Sequence, residues 1–201
     1  MEIFETYWLE ILGTATGLAC VWLLIKESVL TFPIGLLYAV ITSVVVLEAR
    51  LYADLVLNLY FVLMNGYGWY FWILGAKERQ VEGKLLVARV QAYELVLAVV
   101  AIVLGTLAIG FFFSTYTAAD FAYWDSLTTV ASFVAMWMTA RKYLESWALW
   151  FVIDGLQIAL YAVKGFNESP GLYFYSFLYS VYLWMAVLGW RSWSSNVVKQ
   201  V

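Results

Sequence analysis

Residues 93–116 read YELVLAVVAIVLGTLAIGFFFSTY, and no charged side chain follows Glu94 within this run. A helix needs about 20 mainly apolar residues to cross the hydrocarbon core of a bilayer, and this run is long enough. Six other segments are similarly apolar. The predicted helices cover residues 8–25, 29–48, 52–75, 93–116, 121–139, 146–163 and 170–190. We therefore expect an all-α integral membrane protein with seven transmembrane helices.

The composition also favours a membrane protein. Of the 201 residues, 65% are hydrophobic and 12% are charged, whereas soluble domains carry about 25% charged residues. Lipid can solvate such an apolar surface, and aromatic side chains suit the two membrane interfaces. The aromatic residues near helix ends that we expect to be interface anchors are Tyr7, Trp8, Trp190 and Trp193.

Several function classes do not fit this composition. Histidine is absent, which removes imidazole metal sites and His-dependent catalysis, and no basic run suggests nucleic acid. We expect no cofactor. A retinal photoreceptor needs a lysine in its last helix, and residues 170–190 contain none. An enzyme that uses the two carboxylates Asp54 and Asp154 stays open, as does a helical scaffold without transport activity.

Basic residues are unevenly divided between the two ends of the predicted bundle. With the N-terminus outside, nine of the eleven Lys and Arg residues fall in cytoplasmic connections or in the C-terminal tail. These nine are Lys26, Lys77, Arg79, Lys84, Arg89, Arg141, Lys142, Arg191 and Lys199. Because basic loop residues are retained in the cytoplasm, this asymmetry predicts an N-out, C-in orientation.

The chain also contains a weak internal repeat. Residues 67–69, Tyr-Gly-Trp, recur 115 positions later at 182–184 as Tyr-Leu-Trp. We therefore divide one transmembrane domain into repeat one at about 8–75, a linker helix at about 93–116 and repeat two at about 121–190. Such 3+1+3 parallel repeats are a transporter architecture, with the substrate between the halves near the bilayer midplane.

Helix 3 carries a narrow stripe of polar and indole side chains, which lie within about 60° of one another at 3.6 residues per turn. They are Asp54, Asn58, Asn65, Trp69 and Trp72. Polar groups inside a spanning helix are costly and usually mark a pathway or a binding site. Asp54 is also close enough to the helix start for an N-terminal role, and the two Asn residues are equally compatible with hydrogen bonds between helices.

Helix 6 has a similar face, whose members lie within an arc of about 80°. They are Trp147, Trp150, Asp154, Gln157 and Tyr161. Helix 7 adds Tyr175, Tyr179 and Tyr182. Asp154 lies mid-span with no Lys or Arg within several turns of its own helix, so it needs a partner, a proton or a cationic ligand. A scaffold would leave this residue and Gln157 unexplained.

These side chains suit a flat, cationic heterocycle. Indole faces attract cations and stack on rings, and amides orient ring substituents through hydrogen bonds. No glycine-rich turn precedes a helix with a lysine, so a phosphate ester is not the expected substrate. The residue pattern therefore predicts a binding pocket for a flat, cationic small molecule.

Two groups of motifs indicate a family. The first half reads LYAD at 51–54, LN at 57–58 and YGWYFW at 67–72, and the second half has Trp147-x-x-Trp150-x-x-x-Asp154. With these motifs the whole chain resembles the PnuC family of bacterial vitamin transporters. The resemblance implies a SWEET-like arrangement, a homotrimer in the bacterial inner membrane and facilitated diffusion. A cytoplasmic kinase that phosphorylates the vitamin would then maintain net uptake.

The resemblance and the residue pattern together define the predicted substrate site. The family pocket falls on Trp147, Trp150, Asp154 and Asn58, and the pattern adds Asn65, Trp69, Gln157 and Tyr179. Nicotinamide riboside carriers typically have Asn in place of Asp154 and commonly Gln in place of Asn58. We interpret the acid as favouring thiamine, which has a cationic ring and an aminopyrimidine. Nicotinamide riboside is the alternative, and riboflavin or a deoxynucleoside is less favoured.

Overall fold

The computed structural model describes residues 2–48, 52–75, 77–117, 121–167 and 172–197. In these ranges the chain forms seven α-helices. They are α1 Glu2–Ile25, α2 Thr31–Glu48, α3 Tyr52–Leu74, α4 Ala92–Tyr116, α5 Ala122–Ala140, α6 Ser146–Asn167 and α7 Leu172–Ser194. Between α3 and α4 lie a short 3₁₀ helix, Lys77–Arg79, and a hairpin of β1 Gln80–Val81 and β2 Lys84–Leu85. The predicted all-helical architecture is confirmed.

Most predicted helix bounds agree with the structure to within two residues, and three differ by four or more, among them the end of α6 at Asn167 rather than residue 163. Helix α1 begins at Glu2 rather than residue 8, because the preceding polar residues include no glycine or proline that would end a helix. Helix α7 continues to Ser194 rather than residue 190. Its last turn places the Trp193 ring in the protein core, so Trp193 is not the interface anchor that we predicted.

Helix α4 is the most apolar element of the described chain. Its length and hydropathy suffice to cross a membrane, as do those of the Ser146–Val163 part of α6. Nearly all of its large side chains are exposed, including Leu97, Val103 and Leu107. Such a surface needs lipid or another protein chain around it.

The other six helices form a closed ring. Helix α1 packs against α2, α2 against α3, α3 against α5, α5 against α6, α6 against α7, and α7 against α1. Helix α4 stays outside the ring and packs against α5. In this order α1 stands opposite α5, α2 opposite α6, and α3 opposite α7. Side chains that point inward from these helices can therefore meet across the middle of the ring.

The contact that closes the ring between α1 and α7 depends on Gly17. A Cβ atom at this position would lie 2.6 Å from the Tyr182 hydroxyl and 3.1 Å from the ring of Tyr38. Real Cβ atoms do not approach other atoms so closely. The absence of a side chain at residue 17 thus lets α7 and α2 approach α1, as small residues do in packed membrane helices.

One end of the ring holds the connections 26–30, 77–91 and 141–145 together with residues 195–197, and we call it the basic end. The hydrophobic core sits at this end and includes Phe32, Trp72, Leu144, Trp147 and Trp193. Residues 77–91, which we call the strap, run across it. Ala88 forms backbone hydrogen bonds with Lys142 and Leu144, at 3.1 and 2.9 Å. The strap thereby fastens the α5–α6 turn beneath the ring.

The closing contact leads to a first prediction. Gly17→Ala should lower the melting temperature in detergent, because overpacking a tight contact costs about 1–3 kcal/mol. Adding Tyr182→Phe should recover part of the loss, because it removes the atom nearest to the new methyl group. Gly13→Ala is the matched control, since its Cβ would lie 3.8 Å from Ile41 and 3.9 Å from Thr42. Equal decreases in melting temperature for the two variants would show that the contact at Gly17 is not unusually tight.

Candidate functional site

Asp154 lies in the interior of the ring, about two turns from the start of α6. Its side chain is buried, with 6% of the residue exposed. No Lys or Arg of the described chain forms an ion pair with it. Its carboxyl group interacts electrostatically with Tyr179 and Tyr182 of α7. The predicted mid-span acid is therefore present in the interior, beside aromatic rings and without a described basic partner.

Tyrosine side chains surround this carboxyl group. Tyr182 also interacts with Tyr38 of α2 and with Cys20 of α1, so four helices contribute to one cluster. The Tyr179 ring stacks on Tyr161, with centroids 5.6 Å apart, and Tyr161 stacks on Tyr175 at 5.7 Å. These rings form an aromatic wall that continues from Asp154 toward the end of the ring opposite the basic end.

Gln157 adds an unsatisfied hydrogen-bond acceptor to the same face of α6. Its Oε1 atom is buried and has no hydrogen-bond partner among the described residues. A buried polar atom without a partner costs about 1–3 kcal/mol, which is why native proteins contain few of them. Gln157 lies three residues from Asp154, and residues at this spacing share a helix face. An N–H group of a ligand at Asp154 would satisfy this oxygen.

The two asparagines of α3 are buried, each with 6% of the residue exposed. Asn65 donates from Nδ2 to the Phe61 carbonyl at 2.8 Å. Its Oδ1 fits against α2 at Gly35, where a side chain would collide with it. This contact supports a role between helices for Asn65. Asn58 also has an interaction partner in the structure. Both amides therefore have partners within the protein.

Trp150 is held in place by a hydrogen bond between helices. Its indole Nε1 donates to the Thr139 hydroxyl of α5 at 3.1 Å. Phe61 of α3 approaches the ring edge to face, with centroids 6.5 Å apart. The indole is therefore fixed in orientation one turn from Asp154, on the side of the basic end.

Trp147 lies deeper toward the basic end than we expected. It is 2% exposed and packs edge to face on Trp193, with centroids 5.4 Å apart. Gly189 of α7 makes room for it, since a Cβ there would overlap the indole. Asp154 is about 10 Å further along the helix at 1.5 Å per residue. The structure thus brings Trp150, Asp154, Gln157 and Tyr179 together and places Trp147 in a layer below them.

Comparison with known proteins identifies the family. A family model described as Nicotinamide mononucleotide transporter matches residues 7–195. The chain is also 30% identical to the nicotinamide riboside transporter PnuC of Escherichia coli (strain K12), over 96% of this chain and 87% of that protein. The chain belongs to this family. It is therefore a membrane transport protein and not an enzyme, as predicted.

The chain is also similar in sequence to a riboflavin transporter and in fold to a solved transporter structure. The chain is 27% identical to the riboflavin/roseoflavin transporter RibM of Streptomyces davaonensis, over 92% of this chain and 84% of that protein. A crystal structure of the vitamin B3 transporter PnuC superposes with a TM-score of 0.74 and 24% identity, covering 96% of this chain and 85% of that one. The transporter fold is shared along nearly the whole chain.

Besides Trp147, Trp69 is a predicted site residue that the structure does not bring to the cluster. It is 39% exposed and lines a shallow groove on the outside of α3 with Gly66, Tyr70 and Ile73. The reason is its position at the edge of the predicted stripe, where the helix surface turns away from the ring interior. The stacking role that we assigned to Trp69 is therefore not supported. The side chain of Asp54 lies outside the described residues.

Sequence reasoning missed Tyr38, Cys20, Gly17 and the role of Thr139. Before Glu48, helix α2 is apolar apart from hydroxyl groups. It therefore has no polar stripe that would have indicated a role for Tyr38. One signal was available: Gly13 and Gly17 are four residues apart, and small residues at this spacing often mark close helix packing. That spacing would have predicted the approach of α1 to its neighbours.

The hydrogen bond of Trp150 gives a second prediction. Thr139→Val keeps the side-chain shape but leaves the indole N–H without an acceptor, which should cost about 1–3 kcal/mol of stability. Thr139→Ser retains the hydroxyl and is the matched control, with an expected smaller loss. Thermal unfolding of the purified variants in detergent measures both. A melting temperature for Thr139→Val at or above that of Thr139→Ser would argue against the bond.

Proposed function

We propose that this protein carries nicotinamide riboside across the bacterial inner membrane. The observation that carries the proposal is Asp154, a buried carboxylate of the ring interior without a described basic partner. Nicotinamide riboside contains a flat pyridinium cation, which would supply the missing charge. Relatives from Escherichia coli and Neisseria mucosa are both named nicotinamide riboside transporters, and this supports the choice of vitamin.

The cluster has a complementary group for each part of this molecule. Asp154 pairs with the pyridinium ring, while the rings of Tyr179 and Trp150 offer faces for stacking and cation–π contact. The carboxamide N–H donates to the unsatisfied Gln157 oxygen. Ribose hydroxyls meet polar groups of the first half, Asn58 or Asn65. No bond is made or broken, so the side chains act by binding and orienting.

Thiamine, which we preferred from the sequence, lacks support among the relatives. The preference rested on an acid in place of an amide at residue 154, because an acid favours a cationic ligand. That argument does not separate the two vitamins, since the pyridinium of nicotinamide riboside is also a cation. Riboflavin has a named transporter among the relatives, but its ring system is neutral and would leave Asp154 uncompensated.

The transport cycle follows from the division of the ring into two halves. The basic end faces the cytoplasm and the N-terminus lies outside, in line with the distribution of Lys and Arg residues. The two parallel repeats rock about the bound vitamin and expose it to one side at a time. The proposal includes a homotrimer, facilitated diffusion without a coupling ion, and net uptake driven by a cytoplasmic vitamin kinase.

A ligand panel tests the identity of the substrate. Nicotinamide riboside should raise the melting temperature of the purified protein most, because a ligand that binds only the native state stabilises it in proportion to its affinity. Thiamine, riboflavin and nicotinamide mononucleotide at the same concentration should give smaller shifts. A larger shift with thiamine would overturn the choice of vitamin, and no shift with any of them would overturn the site.

Two tryptophan variants serve as an internal comparison in the same panel. Trp150→Ala should weaken the binding of nicotinamide riboside at least tenfold, or about 1.4 kcal/mol. Trp69→Ala should leave the affinity unchanged, because its ring lies on the outside of α3. Equal effects of the two variants would show that stacking in the ring interior does not hold the vitamin.

A further inference from the structure

The basic end of the ring is closed by an ion pair that spans its opening. Lys142 lies in the α5–α6 turn and Glu27 in the α1–α2 turn, and their side chains meet at 2.9 Å between Nζ and Oε2. In the ring, α1 and α2 stand opposite α5 and α6. The ion pair therefore connects the two halves across the centre of the opening and not along its rim.

Lys142 has a complete set of partners in this position. Its Nζ also donates to the Leu85 carbonyl of the strap at 2.6 Å and lies 4.3 Å from the centre of the Trp72 ring. The residue is 2% exposed. Burial lowers the pKa of the ammonium, and the neighbouring Glu27 carboxylate acts in the opposite direction. A buried charge of this kind is stable only while its partners stay in place.

The backbone at both residues is unusual. Glu27 has a φ angle of 54° and Lys142 one of 57°. Positive φ is uncommon for residues other than glycine, and asparagine is the usual exception. Two turns at opposite sides of the ring thus use a long charged side chain where glycine would be easier. Glu82 in the β1–β2 hairpin has a similar φ angle of 50°, so it is the ion pair and not the backbone that distinguishes Glu27 and Lys142.

An aromatic layer lies directly above the ion pair. Trp72 of α3 approaches Trp193 of α7 with centroids 5.9 Å apart, and these helices also stand opposite each other. Phe32 packs on Trp72 at 5.0 Å, and Trp193 donates to the Leu24 carbonyl at 3.1 Å. The Nε1 atoms of Trp72 and Trp147 are buried without a hydrogen-bond partner. Opening the layer to water would give both N–H groups a hydrogen-bond partner.

We propose that the Glu27–Lys142 ion pair is the gate contact at the basic end. While it is formed, the aromatic layer separates the Asp154 cluster from this side; when it breaks, the turns move apart and the vitamin can leave. The gate deepens the proposed transport function, and it does not depend on which vitamin is carried. Breaking one member of the pair should therefore shift the protein toward a form that is open at the basic end.

Cys20 is a natural reporter for this opening. It is the single cysteine of the chain, and its Sγ bonds to Thr31 at 3.4 Å on the ring side of α1 and α2. It interacts with Tyr182 of the cluster and so lies between the cluster and the aromatic layer. The rate at which a membrane-impermeant maleimide alkylates Cys20 measures access from each side of the membrane.

The experiment compares inside-out and right-side-out vesicles without added vitamin. Lys142→Met and Glu27→Gln should each raise the alkylation rate at least fivefold in inside-out vesicles and leave it unchanged in right-side-out vesicles. Lys142→Arg, which keeps a cation and donors for Glu27 and the Leu85 carbonyl, should stay close to the wild-type rate. Arg89→Gln is the matched control, since it breaks an exposed ion pair with Glu145 at the same end and should have no effect. Cys20→Ser gives the background.

The proposal is overturned if neither single variant changes the rate, or if Arg89→Gln raises it equally. It is also overturned if the increase occurs in both vesicle orientations, because the variants would then loosen the whole bundle. Glu27→Gln keeps a hydrogen-bonding side chain and provides a mild variant should Lys142→Met fail to fold. Failure to bind nicotinamide riboside would affect the choice of vitamin and leave these rates as a separate result.

Discussion

The space enclosed by the ring of six helices has to be filled by side chains or by a ligand, and this constraint shapes the rest of the molecule. The described helices satisfy their backbone groups internally, so only side chains can occupy the central space. At the basic end that space is filled by Phe32, Trp72 and Trp193, with the Glu27–Lys142 ion pair below them. At the depth of Asp154 it is lined by polar groups that lack a charged partner in the described chain. The basic end is closed by contacts within the protein, whereas Asp154 in the interior has no basic partner among the described residues.

The two levels differ in how their charges are compensated. Replacing a buried ion pair with apolar residues is often close to neutral, whereas removing one partner costs about 3–5 kcal/mol. Lys142 and Glu27 therefore make a contact that adds little net stability when intact and matters greatly when only one partner remains. Asp154 has no such partner among the described residues, so under the proposed function a cationic ligand would provide the compensation. This difference in charge compensation suits the proposed transport cycle. The gate can close without a ligand, whereas the charge at the site is compensated only when a ligand is bound.

The sequence predicted the helices well and their interior surfaces less well. Long apolar runs set the helix bounds because a bilayer fixes their length. The stripe on α3 placed Asn58, Asn65 and Trp72 correctly in the interior, but Trp69 at its edge lies outside. Helical periodicity gives the angles between side chains around the helix axis. The direction in which the whole stripe faces is known only from the packing of the helix against its neighbours. The ring order follows from contacts between distant segments, which no single-sequence pattern records.

The sequence also does not reveal the role of loop residues, because that role depends on contacts between distant segments. Lys142 entered the sequence argument only as a topology signal, because nothing local shows that its turn meets the α1–α2 turn across the ring. The acid at residue 154 favours a cationic ligand, and this stays a prediction, but charge alone cannot identify the ring that carries it. The named relatives supplied that choice, since they share the family and not only the chemistry.

In the proposed function, Asp154 compensates the positive charge of a flat ring. Isothermal titration of nicotinamide riboside and of its reduced, uncharged dihydro form tests it directly, because the two share the carboxamide and the ribose. The wild type should bind the cation at least tenfold more tightly, a difference of about 1.4 kcal/mol, and Asp154→Asn should reduce that preference to less than threefold. Equal affinities in the wild type, or an undiminished preference in Asp154→Asn, would contradict the account.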